Sequence, residues 1–227
     1  MSYLGHVLTH LRKDLQLEWR ARELINGMLF FALLVVVVFS LAFDPTAFPT
    51  IARQISGGLL WVGLLFASIT ALNQSWAREL HNQVLDAQRL SPAPASALFL
   101  GKALANLLFV SFIELVLAPV FAIFYNLHPL GQAWLLLVIL PLGTWGLTVN
   151  GTFFAALSLR TRNRELLLPL ILCPIAMPAL LAMIQATTNV LTGDYEPGLW
   201  IKLLVGYDVV FTIACIFLFE TVLNAGD

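Results

Sequence analysis

The chain has 227 residues, of which 59% are hydrophobic and 11% charged, against roughly 45–50% apolar and about 25% charged in an average soluble domain. A mean hydropathy of +0.87, with the charges gathered in short islands, excludes soluble, secreted and disordered classes and places the chain in a bilayer. The formal net charge of -1 excludes a nucleic-acid binder, which would carry a basic surplus.

Residues 1–23 come first. Val7, Leu8, Leu11, Leu15 and Trp19 recur at helical spacing, while Arg12, Lys13, Gln16 and Arg20 fall off that stripe. The pattern predicts a basic amphipathic helix lying in the headgroup plane. No small-residue cleavage site follows the first apolar run, so that run is expected to stay in the mature chain.

Residues 24–227 form the transmembrane domain. Uncharged runs extend over Leu24–Phe43, Gln54–Ala77, Ala103–Ile113, Leu115–Leu159 and Leu166–Gly193, and a last apolar stretch, Leu203–Leu223, carries Asp208 and Glu220. About 20 residues cross a hydrocarbon core, so the 45-residue run from Leu115 must turn, and Asn126–Gln132 supplies the turn residues. Six spans follow, at about 24–43, 54–77, 103–125, 133–159, 166–192 and 203–223. The expected fold class is therefore an all-α integral membrane protein.

Ten of the twelve Lys and Arg residues fall before span one, between spans two and three, and between spans four and five; only Arg53 and Lys202 fall on the other side. That bias predicts both termini in the cytoplasm. Trp19 and Trp76 fall near the inner boundary, and Tyr125, Trp134, Tyr195 and Trp200 near the outer one.

Between spans two and three, residues 78–90 mix Arg78, Glu79, Asp86 and Arg89 with Leu80, Val84, Leu85 and Leu90, then meet Ser91-Pro92-Ala93-Pro94. Proline lacks the amide proton and ends the helix. A short cytoplasmic helix held between two spans can pass a push from a soluble partner into both; an ordinary loop helix is the alternative.

Glu114 falls mid-span, where an unpaired charge costs several kcal/mol. It must be neutral, be hydrogen-bonded to groups such as Thr144, Thr148 or Asn150, or find its partner in another chain. Asp208 is placed near the outer boundary, within reach of Lys202 or Arg53. Pro169, Pro174 and Pro178 each free a carbonyl in span five and predict a bent or broken helix. Small residues Gly63, Ala67 and Ala71, and the stripe Thr144, Thr148, Thr152 and Ala156, predict close contacts within the chain or with a second copy.

Catalytic signatures are missing. There is no HExxH or GxSxG, and none of Lys13, Lys102 or Lys202 is followed by Ser or Thr as a phosphate loop requires. Cys173 and Cys215 form no CxxC, and His6, His10, His81 and His128 suggest no ligand set. No metal site or bound cofactor is expected.

The chain resembles the CcmB family, heme exporter protein B, over nearly its whole length. The likeness rests on Lys13-Asp14-Leu15 with Glu18, Arg20, Arg22 and Glu23, on Phe30–Leu33, Leu59–Val62 and Leu64–Ala67, and on Arg78-Glu79 and Leu90-Ser91-Pro92. It continues through Gly101–Leu107, Glu114-Leu115, Arg164–Leu170 and Asp208-Val209-Val210. The resemblance implies an ABC-2-like permease in the bacterial inner membrane, working in cytochrome c biogenesis. Its implied partners are a separate ABC ATPase, a heme-handling membrane subunit, a small membrane subunit and a periplasmic heme chaperone. ATP would enter through the ATPase, and heme would be cargo. Residues 78–90 are then expected to meet the ATPase. A permease for a lipid or polysaccharide, and a non-transporting scaffold for heme-handling subunits, are the competing readings.

Overall fold

The computed structural model describes residues 3–43, 45, 47–81, 84, 93–159, 161, 163–193 and 196–224. Among these, the chain is helical and has no strand. Helix α1 (Tyr3–Ala21) leads into α2 (Glu23–Ala42) through Arg22, which alone interrupts them in a left-handed conformation (φ 56°). Helix α3 (Pro49–His81) opens on a proline, whose missing amide costs nothing in a first turn. Helix α4 (Ala95–Phe124) follows Pro94, and a 3-10 turn (Ala133–Leu135) leads into α5 (Leu136–Ser158). Helix α6 (Arg164–Thr192) closes on Gly193, whose left-handed backbone (φ 73°) returns its N–H to the Asn189 carbonyl at 2.9 Å. Helix α7 (Gly198–Asn224) starts directly after Pro197.

Six helices are long and apolar enough to cross a membrane: Leu24–Ala42, Pro49–Leu80, Ala95–Phe124, Ala133–Ser158, Leu166–Thr192 and Gly198–Leu223. Three of them outrun the boundaries drawn from charge. Span two extends from 54–77 to Pro49–Leu80, span three begins at Ala95 rather than 103, and span six at Gly198 rather than 203. A charged side chain ends an apolar run but not a backbone hydrogen-bond ladder; Pro49, Pro94 and Pro197 set these starts instead.

Span five is not broken. Helix α6 continues through Pro169, Pro174 and Pro178. Each proline removes one ladder bond, and packing against α3, α5 and α7 holds the rest in line.

Helix α5 is the centre of the bundle, in contact with α3, α4, α6 and α7. Its stripe Thr144, Thr148, Thr152 and Ala156 is buried within the chain, as are Ala67 and Ala71 on α3. Lipid offers no hydrophobic drive for helix association, so close approach and cross-helix hydrogen bonds must hold the bundle. Trp61 Nε1 donates to Thr187 Oγ1 at 2.9 Å, Asn106 Nδ2 to Thr152 Oγ1 at 2.8 Å, and Trp145 Nε1 to Thr212 Oγ1 at 3.0 Å. Bonds of this kind contribute about 0.6 kcal/mol each on average.

Helix α1 packs along α4 and runs beside it in the same direction. Tyr3 bonds Ser96, His10 abuts Gly101, and Asp14 meets Lys102. A Cβ on Gly101 would lie 2.9 Å from the Val7 carbonyl oxygen, so only glycine admits α1 this closely. The inward face of α1 carries the buried Val7 and Glu18 and the half-buried Asp14, while Leu8 (64% exposed) and Trp19 (66%) on the expected apolar stripe face outward. Ion pairs of Asp14 with Lys102 and of Glu18 with Arg78 account for that rotation.

Candidate functional site

The charged residues of α1, the end of α3 and the start of α4 form one junction. Asp14 and Glu18 are four residues apart and therefore share a face of α1. Lys102 Nζ, 1% exposed as a residue, stands 3.0 Å from Asp14 Oδ2 and 3.1 Å from Glu79 Oε1. It also lies 4.7 Å above the Trp76 ring, a cation–π contact. Lys13 adds a second cation, paired with Glu79 and 3.3 Å from Asp14 Oδ1. Burial, the largest influence on Lys13, works against its charge, yet Asp14 and Glu79 together hold its pKa above the ordinary value.

Glu18 ties three elements together. Its Oε2 accepts from Arg78 Nη1 at 2.8 Å, and its Oε1 accepts the N–H groups of Leu24 and Ile25 at 2.9 and 3.2 Å. Those amides belong to the first turn of α2, which has no intrahelical acceptor for them, and a carboxylate there also complements the helix dipole. Around these groups lies a cavity of about 340 Å³ that Val84 also lines.

The residues expected to meet an ATPase therefore divide. Arg78, Glu79 and Leu80 do not begin a separate helix; they complete α3. Glu79 is buried, and Arg78 and Glu79 both point into the junction, whereas Leu80 is 42% exposed. Val84 is helical and half-buried. Leu85, Asp86 and Leu90 lie outside the described residues. Trp76, expected at the membrane boundary, is buried beneath Lys102 and donates to the Thr152 carbonyl at 3.0 Å.

Two acids mark the middle of the bundle. Glu114 lies ten residues from the C-terminal end of α4 and Asp208 ten from the start of α7, about 15 Å along each helix. Asp208 is thus much deeper than its sequence placement, because α7 begins at Gly198. Glu114 Oε2 accepts from Thr144 Oγ1 at 2.9 Å, one of the partners anticipated for it, and its Oε1 has none among the described residues. Neither oxygen of Asp208 has a hydrogen-bond partner among the described residues. Lys202 and Arg53 do not reach it: six residues of helix turn Lys202 roughly 120° away from Asp208, and Lys202 is exposed. Asp208 packs instead on Gly146, where a Cβ would lie 2.5 Å from Oδ1. Thr144 and Gly146 stand on nearly opposite faces of α5, so the two acids flank that helix at one depth. Beside them, Tyr207 donates to the Ile175 carbonyl at 3.0 Å and accepts from Asn150 Nδ2 at 3.2 Å.

Asp14, Glu18 and Lys102 were not singled out as a site by sequence reasoning. Their signal was two acids at helical spacing beside an apolar stripe, which reads as a solvated face until the basic partners on α3 and α4 are known. Among the described residues no group of three or more His, Cys, Asp or Glu could hold a metal ion.

Six spanning helices, a polar seam around a central helix and a charge network gathered at one end define a multi-pass membrane protein. The profile of the CcmB protein family matches residues 6–225, and the chain belongs to that family. It is similar to heme exporter protein B of Rhodobacter capsulatus, 34% identical over 171 residues, covering 75% of this chain and 77% of the relative. The same-named protein of Pseudomonas aeruginosa is 32% identical over 195 residues (85% and 86%), and that of Paracoccus denitrificans 31% over 181 (80% and 82%). The chain is a multi-pass inner-membrane protein.

Proposed function

We propose that this chain is the non-catalytic membrane permease subunit of an ATPase-driven complex serving cytochrome c maturation. Its motion would export heme or free a heme-loaded periplasmic chaperone from its loading subunit. The names of its relatives support the heme assignment, and the ten-to-two distribution of basic residues supports cytoplasmic termini. A separate ATPase would then approach the end where α3 finishes, engaging residues 78–90, with heme-handling and small membrane subunits alongside and a second copy against exposed apolar helix faces.

One observation carries the coupling: Lys102 of α4 is shared between Asp14 of α1 and Glu79 of α3. A displacement of the segment after α3 would be passed through this buried cation to α1 and α4 together. Replacing Leu80, Val84 and Leu85 by aspartate should abolish cytochrome c maturation in cells while membrane insertion and the partner's ATP hydrolysis persist. Unchanged maturation in that variant would refute the coupling.

A further inference from the structure

Arg12, Gln16 and Arg20 follow one another along a single face of α1, and beside them the exposed indole of Trp19 faces Leu108 and Phe112 of α4 across an open groove of about 550 Å³. Phe109 forms its floor. Unlike Lys13, which is committed to Glu79 and Asp14, neither Arg12 nor Arg20 has an acidic partner among the described residues, and both are exposed. The two guanidiniums project from positions two turns, about 12 Å, apart.

The level of the groove is set by α4. At 30 residues, about 45 Å, this helix exceeds a hydrocarbon core of about 30 Å. Its first large exposed apolar side chain is Leu108, with Phe112 and Leu115 following; α1 covers the stretch before it. Leu108 is therefore the first large apolar side chain of α4 left open to acyl chains. The groove combines two guanidiniums without acidic partners, an indole and an apolar wall of Leu108 and Phe112, the groups that hold the phosphate and the acyl chain of a phospholipid.

We propose that this groove between α1 and α4 binds an anionic phospholipid, with its headgroup phosphate held by Arg12 and Arg20 and its acyl chains along Leu108 and Phe112. Charge selects the occupant: two unpaired cations with no acid among the lining residues disfavour a zwitterionic lipid and leave no cation site. The assignment does not depend on the transport reading.

Trp19 supplies the test. The full chain is reconstituted in vesicles containing brominated phosphatidylglycerol or brominated phosphatidylcholine at equal fraction, and the Trp19 signal is obtained as the difference from Trp19→Phe. Quenching should favour brominated phosphatidylglycerol. Surface attraction of about 1 kcal/mol per basic residue predicts a fall in this preference of about fivefold for Arg12→Gln or Arg20→Gln, and roughly thirtyfold for the pair. Arg12→Lys with Arg20→Lys should retain most of it. Arg22→Gln with Lys202→Gln removes the same charge outside the groove and should change it less than twofold. Equal quenching by the two lipids in the wild type would overturn the proposal. So would a loss in the control pair as large as that in Arg12→Gln with Arg20→Gln.

Discussion

Replacing Lys102 by methionine keeps most of the side chain's volume and removes the charge shared by α1 and α3. Its ammonium is nearly inaccessible and lies within 3.1 Å of two carboxylates. An exposed pair would be worth about 0–1 kcal/mol, but removing one member of a buried ion pair costs roughly 3–5 kcal/mol, because the remaining charges stay desolvated. Lys13 still neutralises part of Asp14 and Glu79, which places the cost near the lower figure. About 3 kcal/mol corresponds to a local opening roughly 150-fold more frequent. Hydrogen–deuterium exchange in nanodiscs should show that increase across Tyr3–Ala21, with little change in α5 and α6. Adding Glu79→Gln should recover part of the protection by removing an acid that has lost one of its two cations. If α1 of the Lys102→Met chain exchanged within threefold of wild type, the junction would not be what holds α1 to the bundle.

Two further outcomes follow from the same geometry. Glu114→Gln retains an acceptor for the Thr144 hydroxyl, whereas Glu114→Leu leaves that hydroxyl unpaired at a cost of about 1–3 kcal/mol. Cytochrome c maturation should therefore survive the first and fall in the second; full maturation in both would remove Glu114 from any role. His10 is held below the ordinary imidazole value of 6.5 by burial, with Lys13 adding to the effect. An undocked α1 takes up that proton more readily, so the contribution to docking is present above about pH 6.5 and is lost as the pH falls through the lower docked value. Amide exchange in α1 should rise between pH 7.5 and 5.5 after correction for intrinsic rates, and His10→Gln should flatten that rise. An identical pH dependence in the variant would refute it.

The six spans were legible because bilayer thickness imposes a minimum apolar length, and composition alone reports it. Helix ends were less so, since the α-helical ladder runs on past Arg53, Lys102 and Lys202 until a proline or a left-handed residue stops it. Glu114 could be read with its partner because a midplane acid has few candidates, and Thr144 was among them. Asp208 was misplaced because its depth was counted from Lys202 rather than from Gly198. The orientation of α1 was hidden for a different reason: amphipathic reading assumes that charge faces water, and Asp14 and Glu18 face inward because Lys102 and Arg78 await them there.

Asp14 and its buried cation are separated by 88 positions in the chain. During synthesis, α1 leaves the ribosome long before Lys102 exists, so Asp14 has only the neighbouring Lys13 beside it, and Glu18 waits for Arg78, while the first two spans are being inserted. The N-terminal helix can seat only once the third span begins to emerge, and the last contact to close in this corner belongs to the first segment made.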